Sequence, residues 1–295
     1  MTLSVIIPTY NYNARELVLA MSALAKAEQI DAEIIVGDDA STAETAWMDE
    51  VEHENGVRIF HAEHNLGRAL IRNRLAEEAN GKWLLFVDAD AIVPEGFSLK
   101  KNIDAGFGAP VVCGGMRHPD VNPNPEATLR YKYERKADRR RSAEYRSQDP
   151  NRQLSTFNLM VRRDVFMNIG FFERCTEYGY EDTLFGIQLS YDDTPIAHID
   201  NPLIHNGLDS NIVFLEKTET AMRSLHRISD LMPWDTGVLG AVYRLKRWHL
   251  TWAVRLFYRL FRRPMRNNLL GSNPNLFVFS LYKLGYFLCE ASAKD

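Results

Sequence analysis

Two carboxylates one residue apart, Asp88 and Asp90, directly follow the apolar run Trp83-Leu84-Leu85-Phe86-Val87. A buried strand that ends in paired acids is costly unless a cation compensates them. Carboxylate oxygens suit a divalent cation. Such an ion at a strand's carboxyl end suits a phosphorylated ligand. An Asp-x-Asp triplet also describes a solvated turn, so the other residues must decide.

Two more apolar runs end in polar clusters. Ser4-Val5-Ile6-Ile7 is followed by Pro8-Thr9-Tyr10-Asn11, and Glu33 to Val36 is followed by Asp38-Asp39-Ala40-Ser41. Between them and Asp88 lies Asn65-Leu66-Gly67-Arg68, which opens a helical stretch that also carries Arg72 and Asn73. A helix start bearing arginines suits a pyrophosphate. Each cluster alone could be a turn; three on one edge, with the arginines, point to a ligand.

The elements that must carry these residues alternate. Apolar runs at 4–7, 33–36, 57–60 and 83–87 read as strands, and 15–28, 43–54 and 68–79 read as helices, the last stopped by Asn80-Gly81. This alternation predicts a mostly parallel α/β sheet with helices on both faces. In such a sheet the carboxyl ends of the strands line one crevice. Pro119, Pro123 and Pro125 mark a loop, and 128–146 reads as one basic helical stretch with eight Lys or Arg. From about Glu216 the pattern is helical, with a break expected at Pro264 and a further helix from about Leu276 to Cys289.

With 295 residues, 45% hydrophobic and 25% charged, the chain has an ordinary globular composition. Cys113, Cys175 and Cys289 are sparse and odd in number, which fits a reducing compartment rather than a disulfide framework. The first residues show no basic run or long apolar stretch, so no signal peptide is expected. No window reaches the roughly 18 apolar residues of a spanning helix, so a cytoplasmic location is expected. The net charge of −4 hides an asymmetry: after Asp235, ten Lys or Arg face two acids, giving +8 and leaving −12 for the rest. Such a split suggests an anionic partner for the tail. The first strand is not followed by G-x-G-x-x-G, which excludes a dinucleotide oxidoreductase, nor by the Gly-rich basic loop of a nucleotidyltransferase.

The stretches SVIIPTYN (4–11), IIVGDDAST (34–42), NLGRALIRN (65–73), LLFVDAD (84–90) and GYEDTLFGIQL (179–189) occur in the order and spacing of a known family. Across about residues 3–210 the sequence resembles the family-2 inverting glycosyltransferases of the GT-A fold. The resemblance implies a Rossmann-like, mostly parallel sheet flanked by helices, in a catalytic domain over 1–215. A helical, basic and aromatic extension over 216–295 lies outside it. It implies transfer of a sugar from a nucleotide diphosphate sugar, with UDP the expected nucleotide, to a hydroxyl of a glycan or lipid-linked saccharide. A hexosyl- or N-acetylhexosaminyl-transferase type is expected.

The same resemblance implies roles residue by residue. Pro8, Thr9, Tyr10, Asn11, Asp39, Asn65, Gly67, Arg68, Arg72, Asp88, Ala89 and Asp90 would form the donor site. Thr9 and Tyr10 would line the base pocket, and Asp39 would bond the nucleobase. Asp90 would bind Mn2+ or Mg2+, with Asp88 acting on the ribose or through water and His205 as a further metal ligand. Asp182 would be the base that takes the acceptor's proton, with Tyr180 and Glu181 on the acceptor side. The chain departs from the family pattern at Ala40 and Ala91, neither of which removes an expected ligand. The Q-x-x-R-W signature of processive synthases is absent, so one sugar per encounter is expected.

The segment 241–263 interleaves arginines with Trp248, Trp252, Phe257, Tyr258 and Phe261. That pattern suits an anionic membrane surface, and equally a helical subdomain with its cations in water. A peripheral position on the cytosolic face of a membrane is therefore expected, with no nucleic acid as partner. The rival reading is a catalytically degenerate scaffold that binds nucleotide sugar or glycan; the four acids Asp39, Asp88, Asp90 and Asp182 count against it.

Overall fold

The computed structural model describes residues 2–173, 179–232 and 237–290. Cys175 lies outside them. In chain order the elements are β1 (Leu3–Thr9), α1 (Arg15–Ala27), β2 (Ala32–Asp38), α2 (Trp47–Glu52), β3 (Val57–His61) and α3 (Arg68–Glu78). Next come β4 (Trp83–Val87), β5 (Ala91–Ile92), α4 (Leu99–Gly106), β6 (Val111–Cys113), β7 (Met116–Arg117), α5 (Thr128–Ala137) and α6 (Ala143–Arg146). The remainder is β8 (Asn158–Arg162), α7 (Arg163–Ile169), α8 (Glu181–Tyr191), β9 (Ile196–His198), β10 (Leu203–His205), α9 (Asn211–Arg227), α10 (Gly237–Arg247), α11 (Thr251–Leu270) and α12 (Leu276–Cys289).

The chain forms two compact bodies. The first takes in residues 2–119, 138–173 and 181–207, and the second 120–137, 179–180, 208–232 and 237–290.

The first body is built on a seven-stranded sheet of order β3-β2-β1-β4-β8-β6-β9. β1, β2, β3 and β4 run parallel, and β8 is antiparallel to both neighbours. Side chains alternate across the sheet. Leu3, Val5 and Ile7 join Val18, Met21 and Trp47 in the core on one face. Phe86 emerges on the other, where its ring lies 4.9 Å from Phe166 and 5.6 Å from Phe171, with Phe185 4.9 Å from Phe171. Burying each such side chain stabilises the fold by about 1.5–3 kcal/mol. A second sheet of order β5-β10-β7 sits at the end of β4 and pairs His205 with Ala91.

β1 does not stop at Pro8 but continues to Thr9. Thr9 O accepts from Asp39 N at 2.9 Å, so Thr9 faces β2 and Pro8 faces the β4 side. There the β1–β4 ladder ends at Ile6↔Phe86. The next rung would set Pro8 against Asp88 and needs an amide hydrogen that proline lacks.

The 128–146 stretch is not one helix. It breaks into α5, a 3-10 turn at Asp138–Arg140 and α6. Asp138 is held by His118 Nδ1 at 2.7 Å, and Ser142 caps α6 by accepting from Tyr145 N. These side-chain bonds compete with continuation of a helix already loaded with like charge.

In the second body, α9 packs on α5, α11 and α12, and α11 lies along α12. Asn211 Oδ1 accepts from Leu129 N at 2.7 Å while its amide donates to Thr128 Oγ1 and Gly271 O. Tyr282 donates to Glu219 at 2.6 Å. Pro264 sits inside α11 rather than ending it. A proline inside a helix costs about 3 kcal/mol. Tyr258, Met265 and Leu269, buried on either side of it, offset that cost.

Candidate active site

The carboxyl ends of β1, β2 and β4 lie side by side on one edge of the first body. Asn11 ties the first two together, its Oδ1 accepting from Thr42 N at 2.8 Å and Ala43 N at 3.0 Å. Thr9 Oγ1 donates to Tyr12 O at 2.8 Å, and Tyr10 is left exposed.

Asp39 reaches across to the start of α3. Its Oδ1 accepts from Leu66 N at 2.6 Å and its Oδ2 from Gly67 N at 3.0 Å, while Asn65 Nδ2 donates to Asp39 O. Burial pushes this carboxyl up, and the two amides only partly pull it back. Gly67 has φ 82°, a value glycine adopts without a Cβ clash, and this turn aims the start of α3 at Asp39.

Arg68 and Arg72 are one turn apart on α3 and converge on Asp88. Arg68 Nη2 is 2.8 Å from Asp88 Oδ2, and Arg72 Nη2 bonds Asp88 Oδ1. Arg72 is 1% exposed and also donates to Arg68 O at 2.8 Å. Burial alone would raise the Asp88 carboxyl; Arg72 and then Arg68 outweigh it and hold it below the ordinary range.

Asp90 faces the other way. Its Oδ2 is 3.1 Å from His205 Nε2, and its backbone O accepts from Asn206 N at 3.2 Å. A Cβ at Gly207 would lie 2.1 Å from Asp90 Oδ2, so only glycine lets the chain pass there. His118 stands at the same place: its ring centroid is 5.6 Å from that of His205, and ring nitrogens of the two lie within 4.8 Å. A carboxylate beside imidazole nitrogens fits Mn2+ or Mg2+ in donor type. Asp88, neutralised by two guanidiniums, fits a cation less well than Asp90.

Glu181 and Asp182 form the first turn of α8, directly after Tyr180, which has φ 71°. Arg68 Nε is 3.3 Å from Glu181 Oε1, so one guanidinium touches both Asp88 and Glu181. Asp182 Oδ1 accepts from Thr183 N at 2.7 Å. Burial, and then the neighbouring Glu181, push the Asp182 carboxyl up to about 6.

Sequence reading did not find His118 or Arg146. β7 is two residues long, so no periodicity marks His118. Arg146 is buried and donates to Cys113 O and Ile199 O, at 3.0 and 2.7 Å, and it lies 2.8 Å from His198 Nδ1. His198 Nδ1 therefore accepts, and its Nε2 donates to Pro150 O at 3.0 Å. This knot fixes the ends of β6 and β9.

The family profile described as "Glycosyl transferase family 2" matches residues 4–170. The chain belongs to glycosyl transferase family 2. Two curated relatives are similar over shorter stretches. The glycosyltransferase GlyG of Streptococcus pneumoniae serotype 4 is 33% identical over 95 residues, 32% of this chain and 31% of GlyG. The uncharacterized glycosyltransferase YibD of Escherichia coli K12 is 39% identical over 90 residues, 30% of this chain and 26% of YibD. The chain thus spans less than a third of the length of either.

Among solved structures, S. aureus TarS 1–349 in complex with UDP is 18% identical, with TM-score 0.53 over 97% of this chain and 89% of that one. The same protein in complex with UDP-GlcNAc gives 17% identity and TM-score 0.51 over 97% and 90%. This likeness shows the fold. The family-2 chain is thus a Rossmann-like, GT-A-type mostly parallel sheet flanked by helices and extended by C-terminal helices. Among the described residues no helix is long and apolar enough to cross a membrane.

Proposed function

We propose that this protein transfers a sugar, with inversion, from a UDP-linked donor to a hydroxyl of a glycan or lipid-linked saccharide. Donor binding and transfer belong to residues 1–215, and contact with an anionic membrane surface to 241–263 in the extension. The enzyme works in the cytoplasm, on the cytosolic face. Family membership, and the TarS structures in complex with UDP and with UDP-GlcNAc, support the donor class.

One observation carries the reading: Arg68 bridges Asp88 on the donor edge and Glu181 beside Asp182. This shared cation supports placing the base next to the donor edge. Asp182, at about 6, is ionised at neutral pH and still basic enough to accept a proton. It takes the acceptor hydroxyl's proton as that oxygen attacks the anomeric carbon. The bond from that carbon to the nucleoside diphosphate breaks, and the diphosphate leaves with the electron pair. Arg68 is a cationic contact for its phosphates; Arg72, expected there too, is buried and instead holds Asp88 and Arg68 in place. Thr9, Tyr10 and Asp39 hold the base, with Pro8, Asn11, Asn65 and Gly67 shaping the pocket and Asp88 and Ala89 near the ribose. Tyr180 and Glu181 face the acceptor. Asp90 and His205, with Asp88 through water, would hold Mn2+ or Mg2+, which supplies Lewis-acid neutralisation of the leaving diphosphate.

The test pairs two measurements on Asp182→Asn: UDP-sugar binding by thermal shift, and transfer to a saccharide acceptor. Retained binding with transfer abolished is expected. Transfer at the wild-type rate would sink the assignment of the base.

A further inference from the structure

Helix α11 has two apolar faces, and only one of them is buried. The inner stripe is Tyr258, Met265 and Leu269. It packs closely on α12: a Cβ at Gly285 would lie 2.3 Å from Tyr258 Cδ2, and the Tyr258 and Tyr282 rings are 5.7 Å apart. The outer face carries Trp252, Leu256, Phe257, Leu260 and Phe261, all exposed, Trp252 and Leu260 at 65% each. At about 100° per residue these five cover roughly half the circumference, away from the inner stripe. The Phe257 and Phe261 rings stack at 4.6 Å. Trp248, 72% exposed, and Leu250 extend the surface toward α10.

Arg255, Arg259 and Arg262 line one flank between the two faces, Arg262 paired with Glu290 at 2.6 Å, and Arg263 stands within the outer face between Trp252 and Leu256. From Gly237 to Cys289 there are nine Lys or Arg and no acid. A continuous exposed apolar surface is costly in water and marks a contact site. Its occupant must be apolar at the centre and anionic at the rim.

We infer that α11 lies flat in the interfacial layer of an anionic lipid bilayer. Trp252, Leu256, Phe257, Leu260 and Phe261 sit among the acyl chains, and the flanking arginines sit among the headgroup phosphates. This rests on the membrane reading of 241–263 and narrows it to one helix face and one depth. A second copy of this face would set Arg255 and Arg259 against themselves. A nucleic acid would leave Leu250, Leu256 and Leu260 with nothing to contact.

The experiment measures co-sedimentation of the full chain with vesicles of phosphatidylcholine, alone and with phosphatidylglycerol. The wild type and two variants are compared: Trp252→Ser/Leu256→Ser/Leu260→Ser, and Arg255→Glu/Arg259→Glu. The substituted side chains are exposed, and circular dichroism verifies the fold of each variant. The wild type is expected to bind only vesicles with anionic lipid, and each variant about tenfold or more weaker. Moderate salt should weaken wild-type binding without abolishing it. Wild-type affinity in the serine variant would overturn the inserted face, and loss in the arginine variant alone would leave a purely electrostatic contact. Preference for a single-stranded oligonucleotide over vesicles, or no vesicle binding by the wild type, would overturn the inference. Donor thermal shift and transfer to a water-soluble acceptor, run on the same proteins, keep a failure here separate from a failure of the transferase reading.

Discussion

The guanidinium of Arg68 lies 3.3 Å from Glu181 Oε1, and 2.8 Å from Asp88 Oδ2 through its other arm. Asp88 and Glu181, 93 positions apart in sequence, are thus held by one planar fork. Lysine cannot span both at once. Arg68→Lys is expected to cut kcat/KM about tenfold, and Arg68→Ala about a hundredfold, the range of a charged hydrogen bond. Removing this cation should also raise the pH at which Asp182 ionises, since Arg68 acts to lower it. A pH–rate profile of Arg68→Ala with an unshifted acid limb would count against the bridge.

The acid limb of kcat is expected near pH 6, where Asp182 loses its proton. Glu181→Gln removes the charge that helps to raise it, so the limb should move to lower pH. Asp182→Asn should lower kcat about 10³-fold. The stability effect has a definite sign. The folded value, about 6, lies above the ~3.9 of an unfolded aspartate, so ionisation weighs on the fold as pH rises between the two. Asp182→Asn should therefore match the wild type in melting temperature near pH 4, exceed it increasingly to pH 6, and keep a constant lead above that.

Cation binding is tested by thermal shift with UDP and Mn2+ together. A donor at a hundred times its Kd should raise the melting temperature by roughly 5 °C. Asp90→Ala should abolish the part of the shift that needs Mn2+, and His205→Ala should reduce it. A chelator should return the wild type to the metal-free value. Equal shifts in wild type and Asp90→Ala would remove Asp90 from the cation site.

Gly285→Ala is a test of packing in the helical body. The added Cβ would lie 2.3 Å from Tyr258 Cδ2, and Tyr258 is 1% exposed with its ring packed against Tyr282 at 5.7 Å. A loss of about 1–3 kcal/mol is expected, read as a lower urea midpoint at unchanged slope. Gly179→Ala, whose added Cβ would lie 3.1 Å from Ala221 Cβ, has no part in this contact and should not mimic it.

How much was legible follows from period and range. β4 runs over Trp83–Val87 as its apolar run predicts, because a strand buried on both faces reads as one block. The clustering of Asp39, Asp88 and Arg68 was legible too, since parallel strands with short crossovers have one answer for where their ends lie. The β5-β10-β7 sheet was not. Its strands have two or three residues, and the pairing of Ala91 with His205 spans more than a hundred positions. His118 could therefore not be found by spacing. Pro8 and Pro264 misled in the same way: a proline marks a missing donor, and whether that ends an element depends on what lies opposite the nitrogen.

Pro8 has a wider consequence. By denying β1 and β4 one more rung, it leaves the sheet unzipped where Asp88 begins. The fold gives up a little cohesion at this seam, which lies beside the proposed donor edge. Sheet strength and access to that edge compete for the same backbone atoms. The balance is set by a single hydrogen that the chain does not have.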